Sequence, residues 1–284
     1  MTERVAVIGA GTMGHGIAQV CALAGYDVML VDASADLARR GVTRMRENLD
    51  GAVARGKVTA EARDAALARV STTTSVTEAV TGAAVTIEAV PERLELKQSV
   101  LREAESAADP GALLATNTSS LRVAAMQGGL ANPARFLGLH FFNPVHINPL
   151  VEIVRGPATD DRAVDRARAL VARIGKEAVV VNDAPGFATS RLGVLLGLEA
   201  IRMVEEGVAA PADIDRALEL GYRHPMGPLR LTDLVGLDVR LDIARYLSRE
   251  LGERFRPPHL LEEMVEAGKL GKKSGEGFYD WRDA

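Results

Sequence analysis

His140 and Glu152 are the residues in this sequence best suited to proton transfer. His140 ends an apolar run, and histidine is the side chain that exchanges protons most readily near neutral pH. Glu152 lies inside the apolar segment Val151–Val154, where an unpartnered carboxylate would be costly. We therefore expect Glu152 to pair with His140, fixing its tautomer and raising the basicity of its second nitrogen. A histidine beside Phe141 and Phe142 is, taken alone, more often structural, and that alternative stays open here.

Hydroxyl and amide side chains follow another apolar segment, Ala112–Thr116, in the run Asn117-Thr118-Ser119-Ser120. In open α/β sheets, ligands bind in the crevice at the carboxyl ends of the strands. Ser119 could therefore bind a substrate oxygen. The structural alternative is a helix cap, and we expect Ser120 to cap a helix that begins near Leu121.

A glycine-rich turn, Gly9-Ala10-Gly11-Thr12-Met13-Gly14, follows the first apolar run and precedes a helical pattern. Asp32 ends the next apolar run, near the spacing of about 20 residues that dinucleotide-binding βαβ units show. The turn and the helix start would hold a pyrophosphate. The Asp32 carboxylate would accept hydrogen bonds from a ribose and repel a 2′-phosphate. The pattern predicts NAD in preference to NADP, with a turn that binds nothing as the alternative.

These groups require a sheet to position them, and the first part of the chain alternates strand and helix patterns. This alternation predicts an α/β fold, with a doubly wound, largely parallel sheet of the Rossmann type. The predicted strands are Arg4–Ile8, Asp27–Val31, Ala84–Val90, Ala112–Thr116, Arg135–Phe141, Val151–Val154 and Ala178–Val181. The predicted helices between them are Met13–Ala24, a helix capped by Ser34 that reaches about Arg55, Leu94–Ala107 and Arg162–Ile174.

The pattern changes near Ala184, beyond which we find no strand pattern. We predict two domains, 1–184 and 185–284, the second all helical. Its predicted helices are Phe187–Glu206, Ala212–Leu220, Leu229–Leu251 and Leu260–Ala267. Segment Leu192–Leu198 is apolar nearly all round, which predicts burial on most sides. Either a domain or subunit interface or an ordinary central helix would account for it.

Composition excludes several classes of protein. A net charge of −4 argues against a nucleic-acid-binding surface. The single cysteine, Cys21, excludes a disulfide framework and falls on the apolar side of a predicted helix, as a buried structural thiol would. Neither a signal peptide nor a membrane span is visible, so we expect a cytoplasmic protein without a membrane partner. Histidines 15, 146, 224 and 259 have no metal-ligand spacing, so no metal is predicted.

Several longer motifs together resemble one enzyme family. They are GAGTMGHGIAQ at the start, NTSSL at 117–121, GLHFFNPV at 138–145, PGF at 185–187, HPMGPL at 224–229, GLD at 236–238 and LGKKSGEGFYDW near the end. Across nearly its whole length the chain resembles the L-3-hydroxyacyl-CoA dehydrogenases, most closely the bacterial 3-hydroxybutyryl-CoA dehydrogenases. The resemblance implies reversible oxidation of an L-3-hydroxyacyl-CoA to the 3-ketoacyl-CoA, with NAD as the cofactor.

The resemblance also assigns roles to residues. His140 matches the catalytic base, Glu152 its paired acid, and Ser119 the hydroxyl that binds the substrate oxygen. The family pattern also places four residues near the cofactor, namely Glu92, Lys97, Asn143 and Lys273. The residues alone would have indicated a solvated helix start for Glu92 and Lys97, and an exposed basic pair for Lys272-Lys273.

Two departures from the family pattern affect substrate binding. Ser190 stands where the family usually has the asparagine that helps bind the substrate carbonyl, and a water or Arg191 could bridge the shorter side chain. Only Arg55 and Lys57 remain in the region where relatives have several lysines for the CoA phosphates. The sequence is equally consistent with Arg55 and Lys57 as phosphate ligands and with both as part of a solvated helix end.

The family also implies a homodimer through the helical domain. Two other functions stay open at this point: a dehydrogenase of a free hydroxy or sugar acid, and an NAD-binding protein without catalysis. Retention of Ser119, His140 and Glu152 argues against the second.

Overall fold

The computed structural model describes residues 3–282, which divide into two compact units at Ala184 and Pro185. The first unit is an eight-stranded sheet with helices along it. Its strands are β1 Arg4–Ile8, β2 Asp27–Val31, β3 Val70–Thr73, β4 Val85–Glu88, β5 Leu113–Thr116, β6 Phe136–Phe141, β7 Leu150–Arg155 and β8 Glu177–Asn182. Its helices are α1 Gly14–Leu23, α2 Ala35–Ala54, α3 Ala60–Ala68, α4 Val76–Val80, α5 Leu94–Ala107, α6 Val123–Gln127 and α7 Asp161–Arg173.

The strand order is β3-β2-β1-β4-β5-β6-β7-β8. Every neighbouring pair is parallel except β6 and β7, which run antiparallel. The predicted α/β fold with a largely parallel sheet is therefore confirmed. Strands β1 and β2 have the predicted bounds, and the central strands are buried, as parallel strands covered on both faces must be.

Strand β3 was missed. Its sequence, VSTT, lacks an apolar run because it lies at the edge of the sheet and is only partly buried. Helix α2 begins as expected, because the Ser34 hydroxyl accepts a hydrogen bond from the Leu37 amide. Cys21 is fully buried, as predicted, and burial raises the pKa of its thiol to about 12. A thiol of this kind stays protonated and packs as a small apolar side chain.

The prediction that Ser120 caps a helix near Leu121 is wrong. Helix α6 begins at Val123, and the carboxylate of Asp183 accepts from the amides of Val123 and Ala124 at 3.0 and 2.9 Å. The Leu121 amide donates to the Thr118 hydroxyl instead. Asp183 is 60 residues from Val123, so no local pattern could have revealed this cap.

The second unit is helical, with short β-bridges near its end. Its helices are α8 Thr189–Glu205, α9 Pro211–Tyr222, α10 Pro228–Val235, α11 Leu237–Leu251 and α12 His259–Glu266. The predicted single helix Leu229–Leu251 is two helices, because Gly236 has φ +102° and turns the chain between α10 and α11. No helix among residues 3–282 is long and apolar enough to cross a bilayer.

Segment Leu192–Leu198 in α8 is only partly buried within this chain, so an ordinary central helix does not account for it and the subunit-interface alternative stays open. Val194 and Leu198 lie in the core of the helical unit, whereas Leu192 is 61% exposed. Leu195 and Leu196 are exposed as well. Helix α8 therefore carries apolar side chains both in the core of the unit and on its surface.

Candidate active site

His140 and Glu152 face each other across the single antiparallel pairing of the sheet. The register of β6 and β7 places the two residues directly opposite, and Nδ1 of His140 lies 2.8 Å from Oε2 of Glu152. His140 is 5% exposed and Glu152 is fully buried. A buried carboxylate so close to a ring nitrogen stabilises the tautomer with the proton on Nδ1, and an imidazolium when one forms.

The loop after β5 carries Ser119 at the neighbouring strand end. The Asn117 side-chain oxygen accepts from the Phe141 amide at 2.9 Å, which ties the loop to the end of β6 beside His140. Ser119 is half-buried, and its amide donates to Oε1 of Glu92 at 3.0 Å. The structure thus brings the strand ends that carry Ser119 and His140 together, as their place in an open α/β sheet predicts.

Lys97 is not part of a solvated helix start. Its side chain is 1% exposed, and its ammonium lies 2.8 Å from Oε1 of Glu88 and 3.2 Å from Oε2 of Glu92. Glu88 is fully buried and also accepts from the Thr116 hydroxyl at 2.6 Å. Lys97 therefore joins the ends of β4 and β5 to the residue that holds the Ser119 loop.

Glu92 is the partly exposed member of this network. Burial raises the pKa of its carboxyl, but the Lys97 ammonium and the hydrogen bonds from Thr118 and the Ser119 amide outweigh that effect and hold the pKa below its ordinary value. The carboxylate is therefore charged at neutral pH. Sequence reasoning missed Glu88, although an acid that ends the apolar strand VTIE was an available signal.

The glycine turn borders a cavity of about 650 Å³. A Cβ at Gly14 would lie 1.7 Å from the Gly9 carbonyl oxygen, so only glycine allows α1 to approach β1 this closely. A Cβ at Gly11 would meet nothing within 4 Å, which leaves room for a ligand against the backbone. Apolar side chains line the remainder of the cavity, including Val31, Leu37, Val76, Val90, Leu96 and Val100.

Asp32 stands at the end of β2 on the wall of this cavity. Its carboxylate accepts from the amides of Ala10 and Ala33, each at 2.7 Å. Each carboxylate oxygen can accept a further hydrogen bond, so the group stays available to a ribose hydroxyl. The cavity thus combines the glycine turn, the N-terminus of α1, the Asp32 carboxylate and an apolar wall, and this combination fits a dinucleotide.

Three residues expected near a ligand lie on exposed stretches of the first unit. Arg55 and Lys57 are exposed after the end of α2, and Asn143 is exposed in the turn after β6, before Pro144. No contact fixes their role. The alternatives for Arg55 and Lys57 therefore stand as before.

The second unit carries the other two expected residues. Ser190 lies in the first turn of α8. Lys273 is exposed and pairs with the carboxylate of Asp238. Asp233, buried in α10, accepts from the amides of Phe278 and Tyr279 and from the Trp281 indole, which fixes residues 278–281, a few positions after Lys273. Asp233 and Asp238 were missed, because their partners lie far along the chain.

Comparisons with known proteins cover both units. Residues 4–184 match the family model "3-hydroxyacyl-CoA dehydrogenase, NAD binding domain", and residues 186–281 match the C-terminal domain of that family. A 3-hydroxybutyryl-CoA dehydrogenase from Mycobacterium tuberculosis is 45% identical over 98% of both chains.

A 3-hydroxyadipyl-CoA dehydrogenase from Escherichia coli is 43% identical over 99% of this chain and 59% of its own length. The crystal structure of an (S)-3-hydroxybutyryl-CoA dehydrogenase from Ralstonia eutropha superimposes with a TM-score of 0.94 at 37% identity, covering 99% of both chains.

Proposed function

Because this chain belongs to the 3-hydroxyacyl-CoA dehydrogenase family and carries its NAD-binding domain, we propose that it oxidises short L-3-hydroxyacyl-CoA thioesters to 3-ketoacyl-CoA, with His140 as general base. The observation that carries this proposal is the buried His140–Glu152 pair at the end of β6, on a sheet that also bears a dinucleotide turn. In this proposal residues 1–184 bind the cofactor and carry the base. Residues 185–284 bind substrate and form the dimer contact.

Proton transfer is the part of the reaction assigned to the protein's own side chains. With Nδ1 held by Glu152, Nε2 of His140 accepts the proton of the substrate hydroxyl during oxidation. Glu152 stabilises the imidazolium that results, and in the reverse direction the imidazolium returns the proton to the substrate oxygen. The Ser119 hydroxyl donates to that same oxygen and orients it toward His140.

NAD, when bound, supplies the acceptor for the hydride that leaves C3 of the substrate. Gly9 to Gly14 would hold its pyrophosphate, and Asp32 its adenosine ribose. We assign Glu92, Asn143 and Lys273 to the nicotinamide half, with Lys97 acting through Glu92 because its ammonium is buried. Ser190 is assigned to the substrate carbonyl, and Arg55 and Lys57 to the CoA phosphates.

Steady-state kinetics test this function and the role of Asp32 together. Wild-type protein is expected to reduce NAD with L-3-hydroxybutyryl-CoA as the substrate, which the absorbance of NADH would measure. It is expected to use NADP poorly. Asp32→Ala removes the charged acceptor proposed for the ribose hydroxyls, so it should raise KM for NAD by about 10- to 100-fold. The ratio of kcat/KM for NAD to kcat/KM for NADP should fall as well. Activity on free hydroxy acids or sugar acids alone would overturn the CoA assignment.

Asp36 provides the matched control for Asp32. It lies in the first turn of α2 and pairs with Arg39 on the surface, outside the cavity that Asp32 lines. Asp36→Ala should leave both cofactor constants within about twofold, because exposed ion pairs contribute little. An equal effect of the two substitutions would remove Asp32 from the cofactor site.

A homodimer through the helical unit is also proposed, on the basis of exposed apolar side chains. They lie on α8, α10 and α11, and comprise Leu192, Leu195, Leu196, Leu231, Leu234, Val235 and Val239. Light scattering should give the mass of two chains, and Leu192→Asp with Leu196→Asp should shift it toward one, because buried charges oppose association. Val208→Asp, at an exposed site after α8, is the control. A wild-type monomer would refute the dimer.

A further inference from the structure

Arg240 in α11 is a buried cation that the reaction described above does not use. It is 5% exposed, its Nε has no hydrogen-bond partner, and no residue between Glu3 and Arg282 forms an ion pair with its guanidinium. Burial lowers the pKa of the group to about 10, so it remains charged at neutral pH. Buried charges in folded proteins are ordinarily paired, because a charge that leaves water without gaining a partner destabilises the fold. An unpaired guanidinium therefore indicates a ligand that the chain itself does not supply.

Two glycines of α8 make the space in which the guanidinium lies. A Cβ at Gly197 would be 3.3 Å from Cζ of Arg240, and a Cβ at Gly193 would be 3.8 Å from its Nη1. Gly193 is itself only half-buried, so backbone alone covers that side of the guanidinium. Thr232 lies nearby, but its hydroxyl donates to the Pro228 carbonyl instead. The planar head of Arg240 is thus held against α8, and its buried Nε has no hydrogen-bond partner within the part of the chain that the structure describes.

The position of these glycines connects Arg240 to the substrate side of α8. Gly193 and Gly197 follow Ser190 by three and seven residues, which places all three on one face of the helix. The helical rise puts them about 4.5 and 10.5 Å along the axis from Ser190, and the end of an extended six-carbon acyl chain falls between these two levels. The exposed leucines of α8, Leu192, Leu195 and Leu196, stand on other faces.

We propose that Arg240 receives a carboxylate at the far end of the acyl chain, so that the preferred substrates are 3-hydroxyacyl-CoA thioesters of dicarboxylic acids. The inference rests on the proposed function, since it takes Ser190 as the residue beside the substrate carbonyl. A guanidinium pairs with a carboxylate through two parallel hydrogen bonds, and this pairing is strong where water is excluded. It would supply the partner that Arg240 lacks, and a neutral acyl end would not.

Two thioesters of equal length test the proposal. 3-Hydroxyadipyl-CoA ends in a carboxylate where 3-hydroxyhexanoyl-CoA ends in a methyl group, so the ratio of their kcat/KM values isolates the terminal charge. The wild-type ratio is expected to favour the dicarboxylate by about 100-fold or more. Arg240→Met should reduce that ratio by about 100-fold, and Arg240→Lys should keep only part of it because lysine lacks the planar fork.

Arg245→Met is the matched control, because Arg245 lies in the same helix on the surface and pairs with Glu262. It should leave the ratio unchanged. Arg240→Met is expected to fold, since it exchanges an unpaired charge for an apolar side chain. Arg240→Gln, which keeps donors without the charge, provides a second measurement of the same ratio.

The outcomes separate this inference from the function on which it rests. If neither thioester nor 3-hydroxybutyryl-CoA is oxidised, the proposed function fails first. If 3-hydroxybutyryl-CoA is oxidised but the wild type does not distinguish the two longer thioesters, the inference about Arg240 is overturned. It is equally overturned if the Arg240 variants change the molecular mass by light scattering and not the ratio, because the guanidinium would then serve a second copy of the chain.

Discussion

Replacing His140 with alanine is expected to lower kcat by about 10²- to 10⁴-fold while the affinity for NAD stays within a fewfold. The substitution removes the ring nitrogen proposed to take the substrate proton. It does not alter the glycine turn or Asp32, which belong to other strand ends of the same sheet. Single-turnover measurement of NADH formation and a fluorescence titration of NADH would report the two quantities separately. An unchanged rate would remove His140 from the mechanism.

Two further variants separate loss of the base from loss of a structural contact. His140→Asn keeps a donor near Glu152 but cannot act as a base, so it should be as slow as the alanine variant and better folded. Glu152→Gln should leave the ring in place but destabilise the imidazolium, giving an intermediate loss of kcat. His259→Ala is the control for histidine loss, because His259 pairs with Glu263 on the surface of the second unit. It should have wild-type kinetics.

Replacing Lys97 with methionine is expected to lower the free energy of unfolding by about 3–5 kcal/mol, which is a large part of the stability of an ordinary domain. Methionine matches the length of lysine but leaves Glu88, fully buried, without its ionic partner. Urea denaturation followed by circular dichroism would measure the change. The double variant Lys97→Met, Glu88→Gln should recover part of the loss, because it removes the fully buried unpaired charge and leaves only the partly exposed Glu92 carboxylate without its partner.

Lys269→Met is the matched surface substitution. Lys269 pairs with Glu276, and each side chain is 45% exposed, so the expected change in the free energy of unfolding is at most about 1 kcal/mol. Equal effects at positions 97 and 269 would show that the buried pair contributes no more than a surface pair.

Lys97→Met should also weaken NAD binding, because Glu92 and the Ser119 loop lose the ammonium that holds them.

Much of the fold could be predicted because it depends on short-range patterns. Strands β1 and β2 were bounded correctly by apolar runs between turn residues, and Ser34 was identified as a cap by its place before a helical pattern. The glycine turn is partly local, since a Cβ at Gly14 would meet the Gly9 carbonyl within one βαβ unit, whereas Gly9 itself lies against the backbone of Ala89 after β4. A partly buried edge strand such as β3 lacks such a pattern and was missed.

The candidate site was predictable in its parts and only partly in its arrangement. An acid inside an apolar strand required a partner, and this requirement identified the pairing of His140 with Glu152 before any register was known. The burial of Lys97 could not be predicted in the same way, because a lysine near a helix start is ordinarily solvated. Glu88 and Glu92 lie within nine residues of Lys97, but only the turn between β4 and α5 brings their carboxylates to its ammonium.

The sequence by itself determined the class of the first unit, the place of the dinucleotide turn and the residues with proton-transfer chemistry, since each depends on spacing along a strand or helix. Only the tertiary structure decided that Asp183 caps α6, that Lys97 is buried and that Arg240 lies unpaired against two glycines. The first and third of these contacts join residues far apart in the chain, whereas Lys97 meets Glu88 across the turn between β4 and α5. Burial and pairing of charge depend on which segments meet, and that is a property of packing.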